Sequence, residues 1–294
     1  MTEHDIAREN PEQTVLYDVG DDGVATITLN RPERKNAWTP VMERRFYAVI
    51  AEADHDSRVR VAVLTGAGSA FCPGVDIQRL DSIAGAPMDL AGRSVPSRTH
   101  SFRKPLIAAI NGPCAGLGLV QALLCDVRFM ARGARLSTAF ARRGLPAEYG
   151  ASWLIPRIVG IERALDLMLT GRVVDADEAL RIGLVAYVVE PDELLTSART
   201  YAADIAANCS PTSLALIKHQ TLTDLDAGFE RAMHNAYRTM AYTATSADFR
   251  EGVDSYVQKR PPAFSPLADD FDPAAITGAA MPAAHHEAQQ AGKH

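Results

Sequence analysis

Two loops of small residues carry the chemistry that this sequence suggests. The first reads GAGSAFCPGVD over residues 66–76, and the second reads NGPCAGLGLVQALLCD over residues 111–126. Each loop follows a short apolar stretch with the composition of a buried strand, and the second loop continues into an apolar helix. Because glycine allows a ligand to approach the main chain closely, such loops offer backbone N–H groups in place of side chains.

One use of a glycine-rich turn, the binding of a dinucleotide, is excluded by the spacing. A dinucleotide-binding turn has the pattern GxGxxG between a strand and a helix. Here Gly66 and Gly68 are followed by Phe71 at the position of the third glycine. The first loop therefore does not predict a Rossmann-type site.

A second use is a nucleophile at a turn between strand and helix. The sequence GPCAG, residues 112–116, fits the pattern G-x-nucleophile-x-G, with Cys114 as the nucleophile of a hydrolase. This reaction also needs an acid and a histidine further along the chain, and His219 and His234 are candidates for the histidine. Both lie in stretches with helical periodicity, where a packed or surface histidine is the commoner role. The cysteine hydrolase stays open as an alternative.

A third use is an oxyanion hole. Reactions of acyl thioesters often pass through an enolate, whose negatively charged oxygen requires preorganised hydrogen-bond donors. Two backbone N–H groups, one from each loop, could bind this oxygen, and the N-terminus of a helix adds a favourable dipole. Each such donor contributes about a hundredfold or more in rate. This hypothesis explains why one chain has two turns of this kind.

The composition limits the classes of partner. The chain has 294 residues and a formal net charge of −6, which gives no indication of a basic surface for nucleic acid or for a membrane. No apolar run approaches the roughly 20 residues of a membrane span, and the N-terminus lacks the apolar stretch of a signal peptide. We therefore expect a cytoplasmic protein without a membrane span.

Cysteine and histidine spacing predicts no metal site. The cysteines show no metal-binding pattern and are expected to be reduced, mostly buried thiols: Cys72, Cys114, Cys125 and Cys209. The pair His285–His286 near the end of the chain has no further ligand at a fixed spacing, so a solvated tail is the better interpretation.

The elements that position the two loops follow from the apolar pattern. Two β-rich runs around Asp21–Gly23 predict a hairpin, and Thr39 is a suitable N-cap for a helix with Val41, Phe46 and Ile50 on one face. Strands are predicted at 59–66, 105–112, 127–131, 136–140 and 184–190, helices at 116–125 and 151–171, and a loop with a short helix at 80–104. Repeated alternation of strand and helix predicts an α/β fold with mainly parallel strands.

The C-terminal part is predicted to be helical. Helix patterns cover 192–208, 211–226, 228–243 and 246–258, and the last helix should end before Pro261–Pro262. Residues 263–294 are rich in Ala and Pro and have almost no large apolar residues after Phe271 and Ile276. We expect this last segment to be a disordered tail.

Six stretches of the chain resemble, in order, signatures of the crotonase family, the enoyl-CoA hydratase/isomerase superfamily. They are NRPERKNAW, GAGSAFCPGVDI, NGPCAGLGLVQALLCDVRFMA, GLPAEYGASWLIPRIVG, TGRVVDADEALRIGLVAYVV and DFREGVDSYVQKRPPAF. The resemblance covers residues 14–264. It implies a crotonase-like spiral of repeated ββα units over residues 12–205, a helical C-terminal region used for trimerisation over 206–262, and a homotrimer or a dimer of trimers.

The resemblance also assigns residues to an acyl-CoA site. The donors of the oxyanion hole would be the backbone N–H groups of Val75 and Leu117. The residues that would contact coenzyme A are Arg34, Lys35, Ala37, Asp76, Ile77 and Lys259, with Arg260 as a further candidate for a phosphate. Arginine and lysine suit phosphate because their charge and donors match it. Coenzyme A would arrive as part of the substrate, and no other cofactor is implied.

One carboxylate decides which reaction the resemblance implies. Val120 and Phe140 occupy the positions where familiar hydratases of this family have glutamates, and neither can carry a proton. Glu148 matches the acidic residue of several isomerases, which implies isomerisation of an enolate with Glu148 as acid and base. Burial beside Tyr149 and Trp153 would raise its pKa. The acyl pocket, lined by Val120, Phe140 and Trp153, would suit a fatty or aromatic acyl group.

Other roles stay open at this point. Glu148 alone could activate water in a hydratase, or it could be the nucleophile, as in an aryl-CoA dehalogenase of the family. It could also simply cap the helix that begins near Gly150. The chain could bind acyl-CoA without catalysis. Asp81 and His100, in the predicted loop, are further candidates for proton transfer, although solvent exposure is the commoner role for both.

Overall fold

A β-hairpin opens the main sheet of this chain in the computed structural model. The described residues are 10–83, 85 and 97–278. After helix α1 (Pro11–Thr14), strands β1 (Val15–Val19) and β2 (Val24–Leu29) pair antiparallel. The connecting turn contains Gly23 with φ of 76°, a left-handed conformation that favours glycine. The predicted hairpin is confirmed.

The main sheet brings the ends of two central strands to one edge. The further strands are β3 (Val61–Gly66), β4 (Leu106–Ile110), β5 (Cys114–Ala115), β6 (Val127–Ala131), β7 (Arg135–Ser137), β8 (Val174–Asp175) and β9 (Tyr187–Val189). Over the described residues the main sheet has the order β1-β2-β3-β4-β6-β9, parallel from β2 onward, and β5, β7 and β8 form a small second sheet. Because β3 and β4 are parallel neighbours, the loops that follow them lie at the same edge.

Helices cover the sheet, as the predicted α/β fold requires. They are α2 (Pro40–His55), α3 (Ile77–Ile83), α4 (Ser97–His100), α5 (Leu117–Leu123), α6 (Ala151–Val159), α7 (Ile161–Thr170), α8 (Ala176–Arg181) and α9 (Leu194–Asn208). The hydroxyl of Thr39 accepts the N–H of Met42 at 3.3 Å, so the predicted N-cap of α2 is confirmed. Helix α9 packs on β3 and β4 through alanines four residues apart, Ala198, Ala202 and Ala206.

The predicted helix over residues 151–171 is two helices. Helix α6 ends at Val159 and α7 begins at Ile161, because Gly160 between them has φ of 82° and ψ of 161°. A residue in that conformation cannot continue an α-helix. The sequence pattern does not show this break, because each of the two helices buries one face and the apolar periodicity therefore continues on both sides of Gly160.

The C-terminal region is helical, as expected. It consists of α10 (Pro211–Asp224), α11 (Phe229–Thr243) and α12 (Ala247–Gln258). The side chains of Ser210 and Ser246 cap α10 and α12 by accepting backbone N–H groups at 3.1 Å. The predicted core boundary between residues 205 and 206 falls within the last turn of α9, a helix that packs on the sheet.

The expectation of a disordered tail from residue 263 is wrong for its first half. Residues 263–278 follow a defined path that includes helix α13 (Pro273–Thr277), and Leu267 and Thr277 are buried. Side chains of Arg60 and Arg103 donate hydrogen bonds to main-chain carbonyls of this segment. Composition alone does not reveal such contacts. Residues 279–294, with the pair His285–His286, lie outside the described residues.

Candidate active site

The two glycine-rich loops lie side by side. Cys72 and Cys114 form a parallel backbone bridge. The N–H of Cys72 donates to the carbonyl of Pro113 at 3.2 Å, and the N–H of Ala115 donates to the carbonyl of Cys72 at 2.9 Å. Main-chain hydrogen bonds therefore hold the second loop against the first.

Glycine is required where the loops touch. A Cβ atom on Gly118 would lie 2.1 Å from the carbonyl oxygen of Cys72, far inside the contact distance. Gly74 has φ of 104°, and a Cβ atom on it would lie 3.7 Å from the backbone nitrogen of Leu117. The glycines of the second loop thus allow the first loop to approach the start of α5.

Two backbone N–H groups at this junction have no acceptor within the described part of the chain. Leu117 is the first residue of α5, and a first-turn N–H has no partner within its own helix. Val75 lies one residue after Gly74, and no hydrogen bond between described residues uses the N–H of Val75 or Leu117. These are the two donors that the sequence predicted for an oxyanion hole.

Trp38 fixes the backbone on both sides of Val75. The N–H of Trp38 donates to the carbonyl of Gly74 at 2.8 Å, and the N–H of Asp76 donates to the carbonyl of Trp38 at 3.0 Å. The residue between these two bonds keeps its orientation, because its neighbours are paired on either side. This preorganises the amide of Val75.

Asn36 is a structural residue of the site that the sequence reasoning did not single out. It is fully buried, and its amide nitrogen donates to the carbonyls of Ala67 and Ala70 at 2.9 and 2.8 Å. Its side-chain oxygen accepts the N–H of Arg31 at 2.8 Å. Asn36 therefore ties the stretch 31–38 to the first loop. The one hint in the sequence that Asn36 has such a role is its position beside charged residues in RPERKNAW.

Asp76 has an internal role. Its carboxylate is 1% exposed and lies 3.4 Å from the guanidinium of Arg34 and 3.7 Å from that of Arg31. The same carboxylate accepts the N–H of Gln78 at 3.0 Å at the start of α3. Asp76 thus holds Arg34 in place, and its negative charge is already compensated by protein groups.

A cavity of about 340 Å³ opens at this edge of the sheet. Of the residues predicted for the site, it is lined by Arg34, Lys35, Ala37, Val75, Asp76, Ile77, Leu117, Phe140 and Glu148. The structure therefore brings the predicted donors, the carboxylate and most of the predicted coenzyme A contacts into one cavity. The sequence reasoning missed further lining residues, among them Leu80, Thr138, Ala139, Arg143 and Leu145.

Most of these missed residues, though not Leu80 on α3, come from a turn whose conformation is unusual. Ala139 has φ of 59°, which is uncommon for a residue with a side chain. It lies between β7 and a short 3-10 turn at Ala141–Arg143. No local pattern in STAFARRGL predicts this conformation, and it places Phe140 and Leu145 on the cavity wall.

Glu148 lies on the wall of the cavity and is half-buried. The next two residues, Tyr149 and Gly150, are both left-handed, with φ of 54° and 81°. Gly150 holds the N-cap position of α6, so Glu148 is not the capping residue. The carbonyl of Glu148 accepts the N–H of Ala151 at 2.9 Å, which anchors its backbone to the helix.

Four residues assigned to the acyl-CoA site lie outside the cavity lining: Val120, Trp153, Lys259 and Arg260. Val120 is buried within α5 and belongs to the hydrophobic core. The ring of Trp153 contacts His100, with centroids 5.8 Å apart, and the guanidinium of Arg157 at 4.1 Å. Lys259 follows α12 as its C-cap, in a left-handed conformation, and Arg260 pairs with Glu251; neither lines this cavity. The sequence spacing alone did not separate core positions from lining positions.

The cysteine-hydrolase alternative is contradicted by the surroundings of Cys114. Its thiol is 1% exposed and does not line the cavity, and burial raises its pKa well above the ordinary value. His219 is buried and bonds the hydroxyl of Thr277 at 3.0 Å, while His234 is exposed. A thiol that stays protonated and inaccessible is no nucleophile.

The loop candidates for proton transfer do not line the cavity. Asp81 is exposed on α3. Burial and the neighbouring Lys218 lower the pKa of His100, which is half-buried against Trp153. Residues 84 and 86–96 of the predicted loop lie outside the described residues. Of the two carboxylates predicted for proton transfer, Glu148 lines the cavity and Asp81 does not.

Neither a metal cluster nor a membrane span is found in the part of the chain described. No group of three or more His, Cys, Asp or Glu side chains is arranged to hold a metal ion among residues 10–83, 85 and 97–278. Within the same residues, no helix has the length and apolar character needed to cross a bilayer.

Comparisons with known proteins agree on one family. A sequence model of the enoyl-CoA hydratase/isomerase family matches residues 20–266. The chain is similar to the 1,2-epoxyphenylacetyl-CoA isomerase of Escherichia coli (strain K12), with 34% identity over 261 residues that cover 83% of this chain and 95% of the relative.

Solved structures show the same similarity. A probable enoyl-CoA hydratase/isomerase from Mycobacterium abscessus has a TM-score of 0.80 at 31% identity, covering 86% of this chain and 99% of that one. An enoyl-CoA hydratase from Mycobacterium marinum is 48% identical with a TM-score of 0.63, covering 72% of this chain and 98% of that one. The cavity lies entirely within the matched residues.

Proposed function

The chain belongs to the enoyl-CoA hydratase/isomerase family and has its crotonase fold, and from this premise we propose that it isomerises an acyl-CoA thioester through an enolate. The observation that carries the proposal is the meeting of the Val75 and Leu117 amides with Glu148 in one cavity. Donors for an oxyanion and a single carboxylate suit a reaction that removes a proton and returns it to another carbon.

In this mechanism the thioester oxygen accepts hydrogen bonds from both amides. Glu148 takes a proton from a carbon next to the thioester, and the amides stabilise the negative charge that develops on the oxygen. Glu148 then delivers the proton to a different carbon of the acyl group. Removing one such donor costs about a hundredfold to a thousandfold in rate in other enzymes. No water needs to be activated, consistent with the apolar side chain of Phe140 on the cavity wall.

The substrate is expected to be held at the cavity rim by its coenzyme A part. Arg34 and Lys35 are two of the cations that line the cavity, together with Ala37 and Ile77. Lys259 lies on another part of the chain, so in this proposal it would serve a neighbouring subunit. Coenzyme A, as part of the substrate, is the one cofactor-like group that the proposal requires.

The apolar part of the wall supports a fatty or aromatic acyl group. Leu117, Phe140 and Leu145 line the cavity beside Glu148. Such a wall favours a substrate whose apolar surface is buried on binding. The similarity to an isomerase that acts on an epoxyphenylacetyl-CoA is compatible with an aromatic group.

We also propose a homotrimer or a dimer of trimers as the assembly. Helices α11 and α12 expose large apolar side chains that a monomer would leave in water, among them Phe229 at 76%, Tyr256 at 86% and Val257 at 71% exposure. Contact with further copies would bury them. A cytoplasmic location is proposed as well, since the cysteines are unpaired thiols: Cys72, Cys114, Cys125 and Cys209.

Exchange in deuterated water tests the mechanism. The protein is incubated in deuterated water with a panel of short, long and aromatic acyl-CoAs, and mass spectrometry follows deuterium at the α and γ carbons. Exchange with the wild type should fall about a hundredfold or more in Glu148→Gln. Glu33→Gln is the matched control, because Glu33 also lines the rim of the cavity and has no proposed proton to move. Equal exchange in wild type and Glu148→Gln would contradict the role of Glu148.

A hydratase that uses Glu148 alone is the second candidate. The solved relative from Mycobacterium marinum is an enoyl-CoA hydratase and is 48% identical. Hydration of crotonyl-CoA that is lost in Glu148→Gln would favour this reaction over isomerisation. Binding of acyl-CoA without exchange or hydration would instead indicate a binding protein.

A further inference from the structure

A segment that follows the family match packs back onto the molecule. The match ends at residue 266, but the chain continues in a defined path to Gly278. Residues 267–278, here called the clasp, bury Leu267, Pro273 and Thr277. Its helix α13 packs against α10 and α11. The clasp thus covers the C-terminal helices of its own chain.

Arg103 binds the first half of the clasp to the core. One nitrogen of its guanidinium donates to the carbonyls of Asp269 and Phe271, both at 2.9 Å. The Nε atom donates to the carboxylate of Asp54 on α2 at 2.7 Å. The Arg103 side chain is 12% exposed, and its bonds to Phe271 and Asp54 are partly buried, whereas its bond to Asp269 is exposed.

Thr277 binds the second half of the clasp to α10. Its hydroxyl lies 3.0 Å from Nε2 of His219, and both side chains are buried. The ring of Phe271 packs on that of Tyr242 of α11, with centroids 6.3 Å apart. The clasp therefore joins the core to both helices.

Helix α10 in turn contacts the segment that contains α4. Lys218, next to His219, donates to the carbonyl of Lys104 at 3.0 Å and to the carboxylate of Asp126 at 2.8 Å. On the other side of this segment, His100 packs on Trp153 of α6. Residues 97–104 thus contact the clasp and α10 on one side and α6, the helix that follows Glu148, on the other.

We propose that the clasp is a positioning element that holds α10 on this chain's own core and thereby sets residues 97–104 against Trp153. Arg103 reaches the clasp directly, and Lys218 reaches residues 97–104 from α10. A displaced clasp leaves the oxyanion-hole loops in place, because they are held by their own main-chain bonds, but it removes a support of Trp153 on α6, the helix that follows Glu148. The consequence for substrate binding rests on the proposed function, whereas the packing itself does not.

Two truncations of the full chain test the clasp. One ends after Pro266 and removes the clasp, and the control ends after Gly278 and keeps it. Hydrogen–deuterium exchange should rise about tenfold or more in residues 97–104 and in α10 of the first truncation, with β3 unchanged. The control should match the wild type. Exchange in residues 97–104 that stays at the wild-type rate after loss of the clasp would overturn the proposal.

A point variant covers the case in which the shorter chain does not fold. Thr277→Val removes the hydroxyl beside His219 and should raise exchange in α10 and in residues 97–104 by a smaller factor. Thr200→Val, at an exposed position on α9, is its control. No rise in Thr277→Val over Thr200→Val would count against the clasp.

Ligand binding separates the clasp from the proposed function. In Thr277→Val and in the shorter truncation, affinity for octanoyl-CoA should fall about fivefold or more while that for acetyl-CoA changes less than about twofold. Equal losses for both would contradict a role of the clasp in positioning α6 beside the acyl group. If the wild type binds neither, the proposed function fails, and the exchange experiment still decides whether the clasp positions residues 97–104.

Discussion

Cys72 and Cys114 form the backbone bridge that joins the two loops of the active site. Each cysteine lies three residues before a proposed amide donor, Val75 or Leu117. Both thiols are buried, and burial raises the pKa of Cys72 to about 12. The separation of the two donors is therefore set by main-chain pairing next to inert thiols, and it does not depend on the chemistry of either thiol.

Proline at position 117 should remove one donor without removing the helix. Leu117 is the first residue of α5, a position where proline is well tolerated because its missing N–H has no helical partner. Leu117→Pro should lower the rate of proton exchange in the responsive acyl-CoA by about a hundredfold or more. Leu117→Ala keeps the amide and should retain most of the rate. Equal rates in the two variants would show that this amide does not bind the oxyanion.

Alanine at position 118 should damage the junction of the loops. Its Cβ atom would meet the carbonyl oxygen of Cys72 at 2.1 Å, so the loops must move apart. Gly118→Ala should lower the free energy of unfolding by about 1–3 kcal/mol, measured by urea denaturation. In the control Gly252→Ala on α12, the nearest atom is a ring carbon of Phe264 at 3.8 Å, an ordinary contact. That variant should be at least as stable as the wild type.

Lys35 should contribute to binding of the phosphates of coenzyme A. It has φ of 53°, so Lys35→Gly removes the charge without straining the backbone. Because the side chain is exposed, we expect a loss of about 1 kcal/mol, or roughly fivefold in Kd, that shrinks at high salt. Calorimetry with acetyl-CoA measures it.

Lys259→Gly is a matched comparison for that experiment. Lys259 has the same φ of 53° but lies outside this chain's own cavity. A loss of affinity in Lys259→Gly that appears only in the assembled oligomer would assign this lysine to a neighbouring subunit. A loss that persists in isolated monomers would contradict that assignment.

Asp56 should make stability depend on pH in the acid range. Hydrogen bonds from Arg58 lower the pKa of Asp56 from 3.8 to about 2. Because the folded pKa lies below the unfolded one, the stabilisation is present above pH 4 and is lost as the pH falls through 2. Arg58→Gln should lower the free energy of unfolding at pH 5, and its difference from the wild type should shrink as the pH falls and disappear below pH 2.

An exposed arginine on α2 provides the control for the pH experiment. Arg44→Gln removes the same charge from the chain without touching Asp56. Its denaturation curves should follow the wild type between pH 5 and pH 2. If Arg44→Gln and Arg58→Gln changed in parallel, the effect would come from net charge and not from the Asp56 pair.

Much of the local structure was predictable from the sequence. The hairpin turn, the cap of α2 by Thr39 and the alternation of strand and helix depend on neighbours a few residues away, and the pattern of apolar residues records them. The two loops were identifiable for the same reason, since runs of glycine between a strand pattern and the following element are visible in the sequence. Their residues Val75 and Leu117 do lie in one cavity.

Other features were decided only by the tertiary structure. Val120 and Trp153 do not line the cavity, and the carboxylate of Asp76 forms ion pairs with Arg34 and Arg31. Gly160 separates two helices that the apolar periodicity predicted as one. Residues 263–278 become ordered because Arg103 and His219, distant in sequence, bind them. Contacts between side chains that are distant in sequence leave no local sequence pattern, because the packing of whole helices and strands decides which side chains meet. The sequence by itself therefore determined which segments form the site, and the packing determined which side chains face it.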